Sequence, residues 1–242
     1  MLACMAAFQG LLGHAARAGS AFESDGVIAA IVPGLSELAI ANAAVYTDPA
    51  RLAAALPKLQ TAYEDAGVDR SMVWVPPDDD VAPAVLREAG YALDSEAPAM
   101  ALDLSQLPPD DDPLDDWSDE PDPEEVAGIV ERSYGLPDGA VSSSLDGWLT
   151  RATAYVARLD GRPAACLTMV REGPDAGVFM VGTVLEARGR GLARRLLLRA
   201  LHDARAAGST VSSLQSSRLG YPVYRRLGYV ELCRLGMWER GH

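Results

Sequence analysis

Arginine and glycine are concentrated in one short segment of an otherwise acidic chain. The 242 residues carry a formal net charge of −13. The segment VLEARGRGLARRLLLRAL, residues 184–201, nevertheless contains five arginines, two glycines and a single acidic residue, Glu186. From Arg188 to Arg226 there are nine arginines, and Asp203 is the only acidic residue. Such a basic segment in an acidic protein indicates a local anionic ligand rather than a generally basic surface.

The spacing of these residues fits a phosphate site. The sequence predicts a strand before the segment and an amphipathic helix after its glycines. The first amides of a helix lack intrahelical partners and carry the positive end of the helix dipole. Gly189 and Gly191 have no Cβ, which allows a tight bend and a close approach of the backbone to a ligand. Together with the charges of Arg188, Arg190 and Arg194, this arrangement predicts a site for phosphate or pyrophosphate.

Three other interpretations of the segment compete with a phosphate site. A dinucleotide-binding fingerprint would need glycine or alanine where Arg194 stands, and an acidic ribose partner downstream. A Walker loop would need Gly-Lys-Ser/Thr, which the segment does not contain. The simplest alternative is a glycine-containing turn before a helix with a solvated basic face.

The elements that would position this segment predict an α/β protein with a mixed sheet. Strands and helices alternate in the C-terminal half, and a hairpin is predicted at Asp160-Gly161. The predicted C-terminal elements are helices at PEEVAGIVERSYG and SSSLDGWL, strands at ATAYVARL, RPAACLTMV and AGVFMVGTV, the helix after Gly191, a strand at STVSSLQ, a short helix at PVYRRLG and a strand at YVELCRLGMWE. The N-terminal half predicts a similar order, with a helix from Pro49 to Ala66.

A faint repeat and an acidic stretch divide the chain. VLREAGY at residues 85–91 and VYRRLGY at residues 223–229 are identical at four of seven positions, and a strand is predicted after each, which indicates that the two halves are related. The stretch from Leu107 to Glu125 is rich in proline and acid, and therefore predicts an exposed connector. The predicted division is residues 1–106, a linker at 107–123, and residues 124–242.

Composition excludes several classes of function. The odd number and wide spacing of Cys4, Cys166 and Cys233 predict a reducing, cytoplasmic setting. The three histidines lack metal-ligand spacing, so no metal site is expected. No apolar run approaches the ~18 residues of a membrane span, and the acidity argues against a nucleic-acid partner. The opening residues 1–19 predict an amphipathic helix rather than a secretory signal, since no basic residue precedes their apolar part.

Two motifs resemble the GNAT superfamily of N-acetyltransferases. The run from Arg188 to Ala193 fits that family's R/Q-x-x-G-x-G/A motif, with a predicted strand before it and a helix after it. VYRRLGY resembles the family's other recurring segment, in which a tyrosine precedes a Leu-Gly-aromatic turn. The order and spacing of the two motifs also agree, and the resemblance covers about residues 115–240. It implies a tandem GNAT-like fold with a catalytic domain at residues 124–242 and a degenerate half at residues 1–106 that lacks the coenzyme A motif.

The resemblance also implies a reaction and a set of site residues. The expected function is an acetyl-CoA-dependent N-acetyltransferase, in which an amine attacks the thioester directly and acetyl-CoA is the co-substrate. Tyr224 is expected to donate a proton to the departing thiolate. The expected coenzyme contacts are Val181, Gly182 and Thr183 for the pantetheine arm, and Arg188, Gly189, Arg190, Gly191, Leu192, Ala193 and Arg194 for the pyrophosphate.

Some expectations concern neighbours of this site. Many relatives have proline where Leu185 stands, which changes the loop shape, and no general base is visible. Glu186 would lie in the phosphate loop, a poor place for a base. His202 and Cys166 are expected to be structural. Trp117 and Trp148 could line the acceptor pocket, although packing is the simpler role.

Partners follow from the same resemblance. The acceptor is expected to be a small-molecule or peptide amine, and the protein a monomer or homodimer that binds neither nucleic acid nor membrane. The alternative function, from a different class, is a non-catalytic acyl-CoA-binding or regulatory module. Nucleotide binding by an unrelated α/β domain is a third possibility.

Overall fold

The computed structural model describes residues 1–24, 26–147 and 152–241. The helices in this part of the chain are α1 (Leu2–Ala15), α2 (Pro49–Asp65), α3 (Ala82–Glu88), α4 (Pro123–Tyr134), α5 (Ala140–Ser144), α6 (Leu192–Ala206) and α7 (Tyr221–Leu227). The strands are β1 (Ser20–Ser24), β2 (Val27–Ile31), β3 (Ala43–Tyr46), β4 (Ser71–Val75), β5 (Ala92–Asp103), β6 (Trp117–Ser118), β7 (Thr153–Leu159), β8 (Arg162–Glu172), β9 (Asp175–Thr183), β10 (Val211–Gln215) and β11 (Val230–Arg240). The predicted mixed α/β class is confirmed.

The chain divides into two units, each built from several segments. The C-unit comprises Met1, Ala99–Ser142 and Leu149–Leu232, and the N-unit comprises Leu2–Pro98, Ser143–Trp148 and Cys233–His242. The boundaries fall inside β5 and inside β11. Each unit therefore contains part of a strand that the sequence places in the other half of the chain.

The C-unit contains a mixed sheet. Strands β6, β7, β8 and β9 are antiparallel neighbours, β9 and β10 are parallel, and β10 pairs antiparallel with Ala99–Asp103 of β5. The predicted hairpin between β7 and β8 is confirmed, since Asp160 and Gly161 have φ of +52° and +70°, the conformation that such two-residue turns require.

The N-unit repeats this order of pairings. Strands β1, β2 and β3 are antiparallel neighbours, β3 and β4 are parallel, and β4 pairs antiparallel with Gly236–Arg240 of β11. Helix α2 covers the sheet with buried Leu52, Leu59 and Tyr63, which pack in one cluster with Trp238.

Helices α4 and α6 position the candidate site in the C-unit. Both pack on β8 and β9, and they bury Ile129, Leu196 and Leu197. Asp122 caps α4 by accepting a hydrogen bond from an amide of the first turn, and Gly135 ends the helix in the left-handed conformation. The helix predicted at PEEVAGIVERSYG is confirmed, with a proline in its first turn and a glycine at its end.

Two local predictions differ from the structure. The helix predicted at residues 142–149 is found instead at Ala140–Ser144, and Trp148 and Leu149 lie outside the described residues. The acidic stretch is more than a connector, because Trp117 and Ser118 pair with β7. The Trp117 ring stacks on Tyr155 with centroids 6.3 Å apart, and it lies 4.9 Å from the Arg199 guanidinium.

Candidate active site

The start of α6 presents a row of backbone amides. Gly189 and Gly191 have φ of +76° and +75°, and a Cβ on either would meet no atom within 4 Å. Conformation rather than crowding therefore favours glycine at both positions. Within the described residues, the amides from Gly189 to Arg194 donate to no backbone carbonyl, and no side chain caps the helix. These amides are available to an anion.

Arg188 holds this loop in place. Its Nε donates to the Thr183 carbonyl at 3.1 Å, and its Nη2 donates to the Ser133 carbonyl at 3.2 Å. The side chain therefore ties the phosphate loop, residues 188–194, to the end of β9 and to α4. Arg190 is exposed and Arg194 is half-buried, so both can place charge beside the amides.

The end of β9 offers a strand edge next to this loop. The pairing between β9 and β10 runs from Asp175 with Val211 to Gly177 with Ser213, whereas β9 continues to Thr183. From Val178 onward the structure describes no pair on this side of β9. An extended ligand can hydrogen-bond to such an edge in the way that an added strand does.

A β-bulge shapes the same part of β9. In the β8–β9 pairing, Cys166 faces Gly182 and Thr168 faces Phe179, so two residues of β9 lie opposite one residue of β8. Met180, one of the two, has φ of +52°. A left-handed conformation at a methionine is unusual and persists only where its surroundings hold it.

Gly182 of β9 lies close to α4. A Cβ at this position would stand 2.9 Å from Ser133 Oγ and 3.4 Å from Ile129 Cγ2. Glycine is therefore needed here for a packing reason, which differs from the reason at Gly189 and Gly191.

Tyr224 lies on α7 with its side chain almost buried. The residue is 7% exposed, and its ring makes an edge contact with Tyr229 at a centroid distance of 5.9 Å. A Cβ on Gly220 would stand 3.2 Å from the Tyr224 hydroxyl oxygen, so glycine makes room for the phenol. Burial, and secondarily the nearby Tyr134, raise the pKa of Tyr224 above its ordinary value. The phenol therefore keeps its proton at neutral pH.

Tyr134 is a site residue that the sequence analysis did not single out. It occupies the last position of α4, and its hydroxyl donates to the Val181 carbonyl at 3.1 Å. Tyr134 thus connects the end of α4 to the bulge of β9. The signal in the sequence is only its position, one residue before the glycine that ends α4.

The residues expected to play no direct chemical part have structural partners. Glu186 pairs with Arg132, and hydrogen bonds from its own backbone amide and from Arg132 lower its pKa, which makes it a weaker base. His202 contacts the Pro108 carbonyl at 3.0 Å. Cys166 is fully buried, and burial raises the pKa of its thiol to about 12.

Two kinds of feature are absent from the residues that the structure describes. No cluster of three or more histidine, cysteine or acidic side chains in the described ranges could hold a metal ion. No helix described by the structure is long and apolar enough to cross a membrane.

The part of the chain that contains this site matches a known protein family. Residues 120–231 match the family described as the acetyltransferase (GNAT) domain, and the matched range contains the phosphate loop, the β9 edge and Tyr224. Residues 120–231 belong to the GNAT domain family. The resemblance on which the sequence analysis relied is thereby confirmed. No curated protein matches the sequence.

Solved structures share the fold over nearly the whole chain. A GCN5-related N-acetyltransferase from Kribbella flavida is 19% identical with a TM-score of 0.68, covering 99% of this chain and 95% of its own. A tandem GNAT protein from the clavulanic acid biosynthesis pathway is 14% identical with a TM-score of 0.58, covering 98% and 94%. A putative GNAT acetyltransferase from Novosphingobium aromaticivorans is 20% identical with a TM-score of 0.60, covering 91% and 90%. The likeness shows that the chain has a GNAT fold of tandem type.

Proposed function

We propose that the protein is an acetyl-CoA-dependent N-acetyltransferase whose single active site lies in the GNAT domain. The observation that carries the proposal is the combination, within one unit, of unpartnered helix amides, an unpaired strand edge and a buried protonated phenol. Each element of this combination meets one need of the reaction: an anion site, a track for an amide-containing arm and a proton donor.

The phosphate loop would hold the pyrophosphate. The amides from Gly189 to Arg194 donate to no backbone carbonyl of the described residues, and Arg190 and Arg194 add positive charge near them. The part of Arg188 is to order the loop through the carbonyls of Thr183 and Ser133. Hydrogen bonds from charged donors are among the stronger ones in proteins, so this tie fixes the loop before a ligand arrives.

The backbone of Val181, Gly182 and Thr183 would pair with the pantetheine arm. The carbonyls of Val181 and Thr183 already accept hydrogen bonds from Tyr134 and Arg188, but a carbonyl oxygen has two lone pairs and can accept a second donor. The bound co-substrate supplies an acetyl thioester. Backbone amides at the bulge would stabilise the negative charge that develops on its carbonyl oxygen.

Tyr224 would protonate the departing sulfur. An ordinary thiol has a pKa of about 8.5, whereas the pKa of Tyr224 is raised above that of an ordinary phenol. Complete transfer of the phenolic proton to a free thiolate would therefore be unfavourable by itself. The transfer does not stand alone, because the attacking amine loses a proton as its nitrogen bonds to the acetyl carbon. Tyr224 gives its proton to sulfur as the carbon–sulfur bond breaks, and regains one from the amine.

The N-unit would not bind a second acetyl-CoA. At the start of α2, the Asp48 side chain accepts a hydrogen bond from the Ala50 amide at 2.9 Å, so a carboxylate already occupies the place of an anion. Pro49 removes another amide. Leu86, at the position that matches Tyr224 in the repeat, is fully buried and cannot donate a proton.

The experiment that tests the proposal is calorimetry with acetyl-CoA, followed by a screen of primary amines for release of coenzyme A. We expect saturable binding and turnover with at least one small-molecule or peptide amine. Binding without turnover on any amine would favour the non-catalytic acyl-CoA-binding module. Absence of binding would contradict both functions.

A further inference from the structure

Side chains hold three of the last four carbonyls of β9. These hydrogen bonds are Cys166 Sγ to Met180 O at 3.5 Å, Tyr134 Oη to Val181 O at 3.1 Å, and Arg188 Nε to Thr183 O at 3.1 Å. A strand that pairs on both sides satisfies its carbonyls with neighbouring backbone amides. Here the bulge and the divergence from β10 remove those partners, and side chains replace them.

The first two bonds fix the orientation of two successive peptide groups. A peptide group is planar and trans, so its N–H points opposite to its C=O. The Met180 carbonyl is held by Cys166 of β8, so the Val181 amide points away from β8. The Val181 carbonyl is held by Tyr134, so the Gly182 amide points away from Tyr134 and toward Cys166. Met180 itself has φ of +52°, a conformation that would relax toward the β region without such restraints.

Tyr134 provides the stronger of the two restraints. A thiol is a weak donor, whereas a phenol is a good one. The Tyr134 side chain comes from α4, which also packs Ser133 against Gly182. The residue is 56% exposed, so its ring contributes little to the buried core, and loss of the hydroxyl would leave the fold intact.

We propose that Tyr134 is a positioning residue, whose hydroxyl holds the Val181 carbonyl and with it the bulge of β9, so that the Val181 amide stays aimed at the reacting thioester. This inference rests on the proposed acetyltransferase function. Tyr134 acts through the backbone of β9, and Tyr224 remains the proton donor.

The test compares Tyr134→Phe with a matched control, Tyr155→Phe. Tyr155 lies on β7 of the same unit, and its hydroxyl contacts Asp203 at 3.4 Å, so both variants lose one phenolic hydroxyl. We expect Tyr134→Phe to lower kcat by about three- to tenfold, the effect of one lost hydrogen bond between neutral groups. The Kd for acetyl-CoA and the pH profile of kcat should stay those of the parent protein. Hydrogen exchange of the amides in residues 178–183 should be faster than in the control.

Three outcomes would overturn the positioning role. The first is a kcat equal to that of Tyr155→Phe. The second is a raised Kd for acetyl-CoA with unchanged kcat, which would make Tyr134 a binding residue. The third is a shifted pH profile, which would make it a proton donor. If the parent protein binds no acetyl-CoA, the proposed function fails, and hydrogen exchange still decides whether Tyr134 holds the peptide: unchanged exchange at residues 178–183 would overturn that as well.

Discussion

At the scale of single residues, the site depends on a few groups whose environment sets their chemistry. Tyr224 is buried and keeps its proton because burial raises its pKa. Glu186 is exposed and paired with Arg132, and its pKa is lowered. One group is thus suited to donate a proton, and the other is a poor base at neutral pH.

Replacing the proton donor tests the chemistry most directly. Tyr224→Phe should lower kcat by about 10²–10⁴-fold, the range for loss of a general acid. The Kd for acetyl-CoA should change little, because the phenol meets the sulfur and not the phosphates. Steady-state kinetics with calorimetry measure both quantities, and Tyr155→Phe serves again as the control. Turnover of Tyr224→Phe at the control's rate would show that another group protonates the sulfur.

The raised pKa of Tyr224 predicts the alkaline side of the pH profile. A group with a raised pKa loses its proton at a higher pH than usual, so the acid form should persist to at least about pH 10. We therefore expect kcat/KM to rise as the acceptor amine loses its proton, with no decline up to that pH. A decline with a midpoint below pH 10 that is absent in Tyr224→Phe would contradict the pKa shift.

At the scale of the elements, the start of α6 is the feature on which the proposed function most depends. The start of α6 brings together its N-terminal amides, two left-handed glycines and the arginines of the first turn. No side chain caps this start, so its amides are left for a ligand. Helix α2 of the N-unit has the opposite arrangement, since Asp48 caps its start. The two helices therefore differ in whether an external anion has any amides to bind.

A carboxylate placed in the loop should block coenzyme A. Gly191→Asp puts a negative charge and a Cβ where the pyrophosphate is expected, so binding should be lost. The matched control is Gly208→Asp just after the same helix, where φ is +98° and the added Cβ also meets no atom within 4 Å. Each variant should lose about 1 kcal/mol of stability from the left-handed conformation. Calorimetry and thermal unfolding separate the effects, and equal affinities in both variants would refute the assignment.

Local sequence patterns point to some elements of the candidate site and not to others. The phosphate loop and Tyr224 were predicted because glycine, arginine and tyrosine at those spacings carry local signals. The bulge at Met180 was not, since a left-handed methionine is imposed by its neighbours and not by its own preference. The hydrogen bond from Tyr134 to Val181 depends on how α4 docks on β9, which no local pattern encodes.

At the scale of the whole molecule, the two units share an order of strand pairings but differ at the starts of α2 and α6, of which only α2 has a side-chain cap. The predicted domain division followed the halves of the sequence. The sequence did not predict that β5 pairs with β10 or that β11 pairs with β4. Each pairing joins residues more than a hundred positions apart. The stretch predicted as a linker contributes Trp117 and Ser118 to the C-unit sheet, since Trp117 packs against Tyr155.

The difference between the units predicts the stoichiometry of binding. Titration of the intact chain with acetyl-CoA should give about one site per chain, because no side chain caps the start of α6, whereas Asp48 caps the start of α2. Asp48→Ala would remove the carboxylate from α2 and should still not create a second site, since Pro49 lacks an amide and Leu86 lacks a hydroxyl. A calorimetric value near two in the parent protein would contradict the assignment of binding to the C-unit alone.

The division of β5 and β11 between units bears on how the chain is made on the ribosome. The N-unit includes Cys233–Arg240, whose last residues pair with β4. Most residues of the N-unit leave the ribosome first, but one edge of β4 stays unpaired until residue 240 has been synthesised. A nascent chain halted near residue 230 would therefore expose that edge, and unpaired edges invite association with other chains. A circular permutation that moves residues 233–241 before α1 would shorten the time during which the edge of β4 is unpaired. It should therefore reduce aggregation during synthesis.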